Sequence, residues 1–273
     1  MSNLQLFNQT LTNAKTQDYL EKVLAGKKSS FVNNITALVS NNIALQACEP
    51  ISILYSGIKA TALDLPLDQN LGFAYVIPFK DNKLGKTVAQ FQIGYKGFIQ
   101  LAMRSGQFKT INVRDVREGE IVGEDFVSGE LQFKKLETDR EKVKIIGYVA
   151  YFRLINGFEK MSYWTISEIE NHGKKFSQTF KKGFGLWKDE FDAMARKTVV
   201  KLLLSKYAPL SVEMQGAIIS DQSIIDDKGE EYIDNQKDNS EQNEKVAAIF
   251  NAALDKEIVE AEVVKSELDL EEE

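Results

Sequence analysis

Phe73-Ala74-Tyr75-Val76-Ile77-Pro78-Phe79 and Thr87-Val88-Ala89-Gln90-Phe91-Gln92-Ile93 are the two stretches on which the fold class turns. Both are rich in aromatic and β-branched residues, and neither shows helical spacing. Between them, Lys80 to Lys86 contains Asp81-Asn82 and Gly85, the residues of a tight connection, so the pair reads as a β-hairpin. The chain on either side has a different period. Upstream, Thr16 can cap a helix running through Lys27, and Ser30 can cap the next. In that second helix Phe31, Ile35, Leu38 and Ile43 are spaced for one apolar face. Pro50 fits the first turn of a third helix, Ile51 to Leu63. Downstream, Gly94 to Met103 returns to helical spacing, with Phe98, Leu101 and Ala102 on one side and Gly106 as a stop.

Further out, strands are expected at 110–116, 143–154 and 158–164, the last two joined by the hairpin signal Asn156-Gly157. Trp187 to Tyr207 carries the clearest helical pattern in the chain, with Phe191, Met194, Thr198, Leu202 and Ser205 on its buried stripe and Pro209 just beyond. Read in order, the chain offers helices first, then strands with hairpin signals, then a long helix.

Charge divides the chain in two. Residues 1–220 hold 29 Lys and Arg against 22 Asp and Glu, a net of +7, and residues 221–273 hold 5 against 18, a net of −13. The expected organisation is a folded body, 1–220, followed by an acidic linker to about Asn243 and a short amphipathic helix within 244–264. A basic body with an acidic appendage points to a polyanionic partner for the body. One cysteine, Cys48, excludes an intramolecular disulfide and a cysteine-rich zinc site. No apolar run is long enough to span a bilayer, and Met1-Ser2-Asn3-Leu4-Gln5 does not open a secretory signal, so a cytoplasmic protein with no membrane partner is expected.

Enzyme signatures are sparse. His172 is a lone histidine beside Gly173-Lys174-Lys175, expected at the surface, and it excludes any mechanism that needs two. Neither a phosphate-cradling G-x-x-x-x-G-K-[ST] nor a G-x-S-x-G occurs, so nucleotide hydrolysis is not expected to drive function, and no cofactor is implied. Asp189, Glu190 and Asp192 could hold a divalent metal as in nucleases, or could complement the dipole at the start of the long helix. The cations are more suggestive. Lys80, Lys83 and Lys86 cluster at the first hairpin; Lys96 and Arg104 are roughly co-facial on one helix; Arg196, Lys197 and Lys201 share another. Lys174-Lys175 and Lys181-Lys182 flank Phe176 and Phe180. Cations interleaved with aromatics suit nucleic acid, because cations neutralise phosphates while rings stack on bases.

Two segments resemble a known family. The first is Pro66-Leu67-Asp68-Gln69-Asn70-Leu71-Gly72-Phe73-Ala74-Tyr75-Val76-Ile77-Pro78-Phe79 with Ala89-Gln90-Phe91-Gln92-Ile93-Gly94-Tyr95-Lys96-Gly97-Phe98-Ile99-Gln100-Leu101-Ala102. The second runs from Trp187 to Leu210 and contains Phe191-Asp192-Ala193-Met194-Ala195-Arg196-Lys197-Thr198. Both resemble phage and prophage recombinases of the RecT family over roughly residues 30–215. The resemblance implies an α+β fold related to the Red-beta annealing proteins, with a short antiparallel sheet and a hairpin packed on a long central helix and helices at the N-terminus. It also implies ATP-independent single-strand DNA annealing in phage recombination, without sequence specificity, by rings or helical filaments. The implied partners are single-stranded DNA, the annealed duplex, further copies of the chain, a phage exonuclease and the host single-stranded-DNA-binding protein, the last through the C-terminal region. On that reading Lys80, Lys96, Arg104, Arg196, Lys197 and Lys201 line a cationic groove shared by neighbouring protomers. Gln90, Gln92 and Tyr95 add neutral contacts or stacking, and the hairpin at Lys80–Lys86 wedges against DNA or a neighbour.

Overall fold

The computed structural model describes residues 3–81, 85–181, 183, 185–221, 223–226 and 229–232. They are α+β, and the chain forms two compact units, 1–93 with 215–273, and 94–214. Among the described residues no helix is long and apolar enough to cross a membrane.

The first unit opens with α1 (Asn3–Thr12), α2 (Ala14–Leu24), α3 (Lys28–Ser40), the single turn α4 (Ile43–Gln46) and α5 (Pro50–Ala62). Starts and stops differ from expectation where another residue caps better. Asn13, not Thr16, begins α2, its side chain accepting from the Lys15 amide at 3.0 Å. α3 starts at Lys28, ahead of Ser30, and its buried positions are Phe31, Ile35 and Val39. Ile43 is 83% exposed, because Asn42 breaks the helix and caps α4. Pro50 occupies the first turn of α5 as expected, since its missing N–H would be unpaired there anyway.

The hairpin follows as β1 (Ala74–Asp81) and β2 (Lys86–Ile93), paired antiparallel from Ala74 opposite Ile93 to Asp81 opposite Lys86. Two serines of α5 fix its seat. Ser52 Oγ accepts from the Ala89 amide at 2.8 Å, and Ser56 Oγ donates to the Ala89 carbonyl at 3.2 Å. Ala89 faces Pro78, which has no N–H to donate, and both backbone groups of Ala89 bond to the helix instead. Val76 and Ala89 then join Phe7, Leu11, Leu20, Phe31 and Ile53 in one core.

Part of the stretch expected as a linker carries short strands. β8 (Ser223–Asp226) pairs antiparallel with β9 (Gly229–Tyr232). Just before them, Asp221 is 2% exposed and its Oδ1 accepts from the Ile93 amide at 2.9 Å. The helix expected within 244–264 lies outside the described residues.

The second unit begins with α6 (Tyr95–Arg104), stopped by Gly106 at φ +68°. β3 (Phe108–Arg117), β6 (Ile145–Leu154) and β7 (Glu159–Thr165) form an antiparallel sheet in the order β3-β6-β7. Asn156-Gly157 makes the β6–β7 turn, with Gly157 at φ +89° and the Asn156 side chain accepting from the Phe158 amide at 2.9 Å. A separate hairpin, β4 (Ile121–Glu124) and β5 (Leu131–Phe133), and a 3-10 turn at Arg140–Lys142 lie between β3 and β6. α7 (Ile166–Phe176), the single turns α8 (Gln178–Lys181) and α9 (Leu186–Asp189), α10 (Phe191–Tyr207) and α11 (Val212–Ser220) complete the order.

The expected helix from Trp187 to Tyr207 is thus two, interrupted at Glu190, whose φ −134° and ψ 49° are not helical. α10 packs against α6 and against all three strands of the sheet. Its buried residues are correspondingly not a stripe. Met194, Ala195, Thr198, Val199, Val200, Leu203 and Leu204 surround the axis, whereas Ser205 is exposed.

Candidate nucleic-acid interface

α6 owes its two faces to its sequence. Gly97, Phe98, Leu101 and Ala102 are buried, and Lys96, Gln100, Met103 and Arg104 are exposed. The exposed face therefore carries a cation near each end, with Tyr95 half-buried beside Lys96. Lys201 of α10 approaches the same helix from below, its ammonium 5.9 Å from the centre of the Phe98 ring.

α7 extends the cationic surface. Thr165 and Glu168 form a capping box that starts this helix, and Lys174 and Lys175 lie in its last turn. Lys175 sits 4.8 Å from the Phe176 ring centre. His172 is not at the surface: it is half-buried, 4.6 Å from Phe176 and 5.8 Å from Trp164 between ring centres. Burial lowers its pKa to about 4, helped by the positive charges of Lys201 and Lys175. At neutral pH this imidazole is an uncharged aromatic among rings and ammonium groups, the composition that binds unstacked bases and their phosphates.

Arg196 and Lys197 have other work. Arg196 holds Asp192 through Nε at 2.7 Å, Asp115 Oδ1 through Nη2 at 3.1 Å and the Val113 carbonyl through Nη1 at 3.0 Å, and its guanidinium lies 5.8 Å from the Tyr148 ring centre. Asp115 also accepts from Arg117 at 2.7 Å and pairs with Arg140 at 3.0 Å, while Arg140 reaches Glu120 at 2.6 Å. Burial opposes ionisation of Asp115 and Glu120, but their bonds to Arg117 and Arg140 outweigh it and hold both carboxyls below their usual range. Lys197 is 5% exposed and engaged within the protein. Both were expected to line the groove; the structure makes Arg196 a tie between α10 and β3, and Lys197 part of the interior.

The remaining candidates belong to the first unit. Lys80 is exposed, and Lys86 is exposed with its ammonium 3.2 Å from Glu49. Gln90 and Gln92 are buried, and Gln92 Nε2 donates to Gln90 Oε1 at 3.0 Å. They were expected to add neutral contacts or stacking; both side chains are turned into the covered part of β2. Lys83 and Lys182 lie outside the described residues.

The acidic trio does not converge. Asp189 ends α9, Glu190 is the break, and Asp192 is committed to Arg196. Among the described residues no three His, Cys, Asp or Glu side chains are placed to share a cation. Sequence reasoning missed the packing of Trp164, His172 and Phe176 together; the Thr165-x-x-Glu168 capping box before an amphipathic segment was the signal that could have found α7.

Comparison with known proteins gives the chain a family. The RecT family model matches residues 29–240. The uncharacterized protein YqaK of Bacillus subtilis (strain 168) is 44% identical over 237 residues, covering 84% of this chain and 78% of that protein. Protein RecT of Escherichia coli (strain K12) is 33% identical over 184 residues, covering 66% of this chain and 65% of that protein. With the family matched over most of its length and relatives at this identity, the chain belongs to the RecT family.

Proposed function

We propose that the protein is an ATP-independent single-strand DNA annealing protein that serves phage homologous recombination from the cytoplasm. The observation that carries this reading is the RecT family match across residues 29–240. Two exposed cationic faces support it: Lys96 and Arg104 on α6, and Lys174 and Lys175 on α7, where Lys175 lies against the ring of Phe176 in its cluster with His172 and Trp164. Phosphate contacts from such cations confer affinity without reading sequence. They also cancel the repulsion between two naked strands, so pairing needs no fuel. Lys201 contributes from beneath α6, and Lys80 and Lys86 offer a further cationic patch on the hairpin of the first unit.

Because one protomer offers few such contacts, binding is expected to be cooperative along rings or helical filaments of this chain. Residues 233–273, with 13 Asp and Glu against 4 Lys, are proposed to dock the host single-stranded-DNA-binding protein, with a phage exonuclease as a second partner.

The test uses two complementary labelled oligonucleotides with magnesium and no nucleotide. Pairing faster than the protein-free rate, with both strands intact, is the expected result. Cleavage would favour a metal-dependent nuclease instead, and slower pairing would favour a passive strand-coating protein.

A further inference from the structure

The face of the β3-β6-β7 sheet turned away from α10 has no assigned role. Val113, Asp115, Tyr148, Ala150 and Phe152 are buried, and Arg196 reaches Val113 and Asp115 from α10, which fixes the covered face. Side chains alternate along a strand, so Asn112, Arg114, Val149, Tyr151 and Met161 lie on the other face. There they floor an open groove of about 640 Å³. Phe133, Lys134 and Lys135 form its wall, and Arg140 and Glu120 close one end. The Lys134 amide donates to the Glu120 carbonyl at 2.8 Å, which ties the wall to β3's end.

Two properties select the occupant. Arg114, Lys134, Lys135 and Arg140 line the groove with Glu120 and the rim of the mostly covered Asp115, a net of +2, and both carboxylates are bonded to Arg140. Lys134 and Lys135 are exposed, and among the described residues neither has an ion-pair partner. The floor supplies a phenol, a thioether and aliphatic carbon, and the wall adds a Phe133 ring that is 42% exposed. A cationic rim over an aromatic and apolar floor matches an unpaired polynucleotide, which offers phosphates and base faces together; a duplex hides its base faces.

We propose that this groove is a second single-strand site, which captures the incoming strand while the α6 and α7 surface holds the first. The inference rests on the annealing reading above. Capture raises the local concentration of the second strand, so it acts on the encounter and not on the affinity for the first strand.

The test preloads the full chain with one oligonucleotide and adds its complement bearing 5-iodouracil at low concentration. Irradiation is expected to crosslink the complement to peptides containing Tyr151 or Phe133. Lys134→Glu with Lys135→Glu is expected to lower both crosslink yield and annealing rate by about tenfold, with the neutral Gln pair between that and the parent. First-strand affinity should stay within about twofold, because the two surfaces share no side chain. Equal rates for parent and variants, or no crosslink in the groove, would overturn the second site while leaving annealing intact. A parent protein that does not accelerate pairing would overturn the annealing reading and this inference with it.

Discussion

Arg196 and Lys197 are neighbours in sequence, both positive, and neither stands free in solvent. Arg196 holds three partners on two elements, so removing it leaves Asp115 and Asp192 short of donors. Arg196→Ala is expected to cost about 1–3 kcal/mol of stability in urea denaturation, with Arg196→Lys restoring little because one ammonium cannot span both carboxylates. A variant as stable as the parent that binds DNA weakly would return Arg196 to the interface. The titrating groups give a pH dependence with a definite sign. His172 has a folded pKa of about 4 against 6.5 unperturbed, so the unfolded chain binds the proton more readily. Its contribution is complete above pH 6.5 and is lost as pH falls towards 4. The depressed carboxyls of Asp115 and Glu120 act in the same direction, their share disappearing below their ordinary values of 3.8 and 4.5. Thermal unfolding followed from pH 7 to pH 3 should show a steady loss; a maximum near pH 5 would contradict the assignment.

At the scale of the element, α6 is the clearest test of the interface, because its exposed face carries the charge and its buried face carries the packing. Lys96→Ala and Arg104→Ala are each expected to weaken DNA binding equally on all sequences and to flatten the salt dependence by about one phosphate contact. Unchanged binding at moderate salt would remove α6 from the interface. The elements also show what the sequence could and could not disclose. The β1–β2 hairpin, the Asn156-Gly157 turn and the start of α5 were legible because local signals and period agree there. The interruption at Glu190 was not: apolar spacing continues across it, and nothing in the local composition marks the non-helical residue. Nor could spacing tell that α10 is enclosed on several sides, since a charge at position 196 or 197 reads as solvated until the sheet behind it is known. The β4–β5 hairpin and α7 went unread for want of a long periodic segment, although α7 carries a capping box.

For the whole molecule, the break in charge after residue 220 falls inside the first unit, which takes in 215–273. Ser223–Asp226 and Gly229–Tyr232 form strands, and Asp221 is bound to Ile93. A chain ending at Tyr232 is therefore expected to anneal DNA in vitro like the parent while supporting less recombination in cells. A chain ending at Ser220 loses the buried Asp221 and is expected to be less stable in denaturation. If the longer truncation product fails to anneal, the acidic segment belongs to the DNA-handling apparatus. Expectations for Lys96, Arg104 and Lys201 stand as proposals on solvent-facing or ring-stacked cations, whereas Gln90, Gln92, Arg196 and Lys197 serve the interior first.

The bond between Ile93 and Asp221 also sets an order of events at the ribosome. These residues are 128 apart, and everything between them is a unit with its own contacts. At about 5–20 residues per second, synthesis leaves roughly 6–25 seconds between the appearance of one and the other. Through that interval the Ile93 amide and the β8 side of β2 have no mate, while the inserted portion can already mature. The amino-terminal third is thus born first and finished last, and in that gap the unpaired side of β2 is open to holding chaperones.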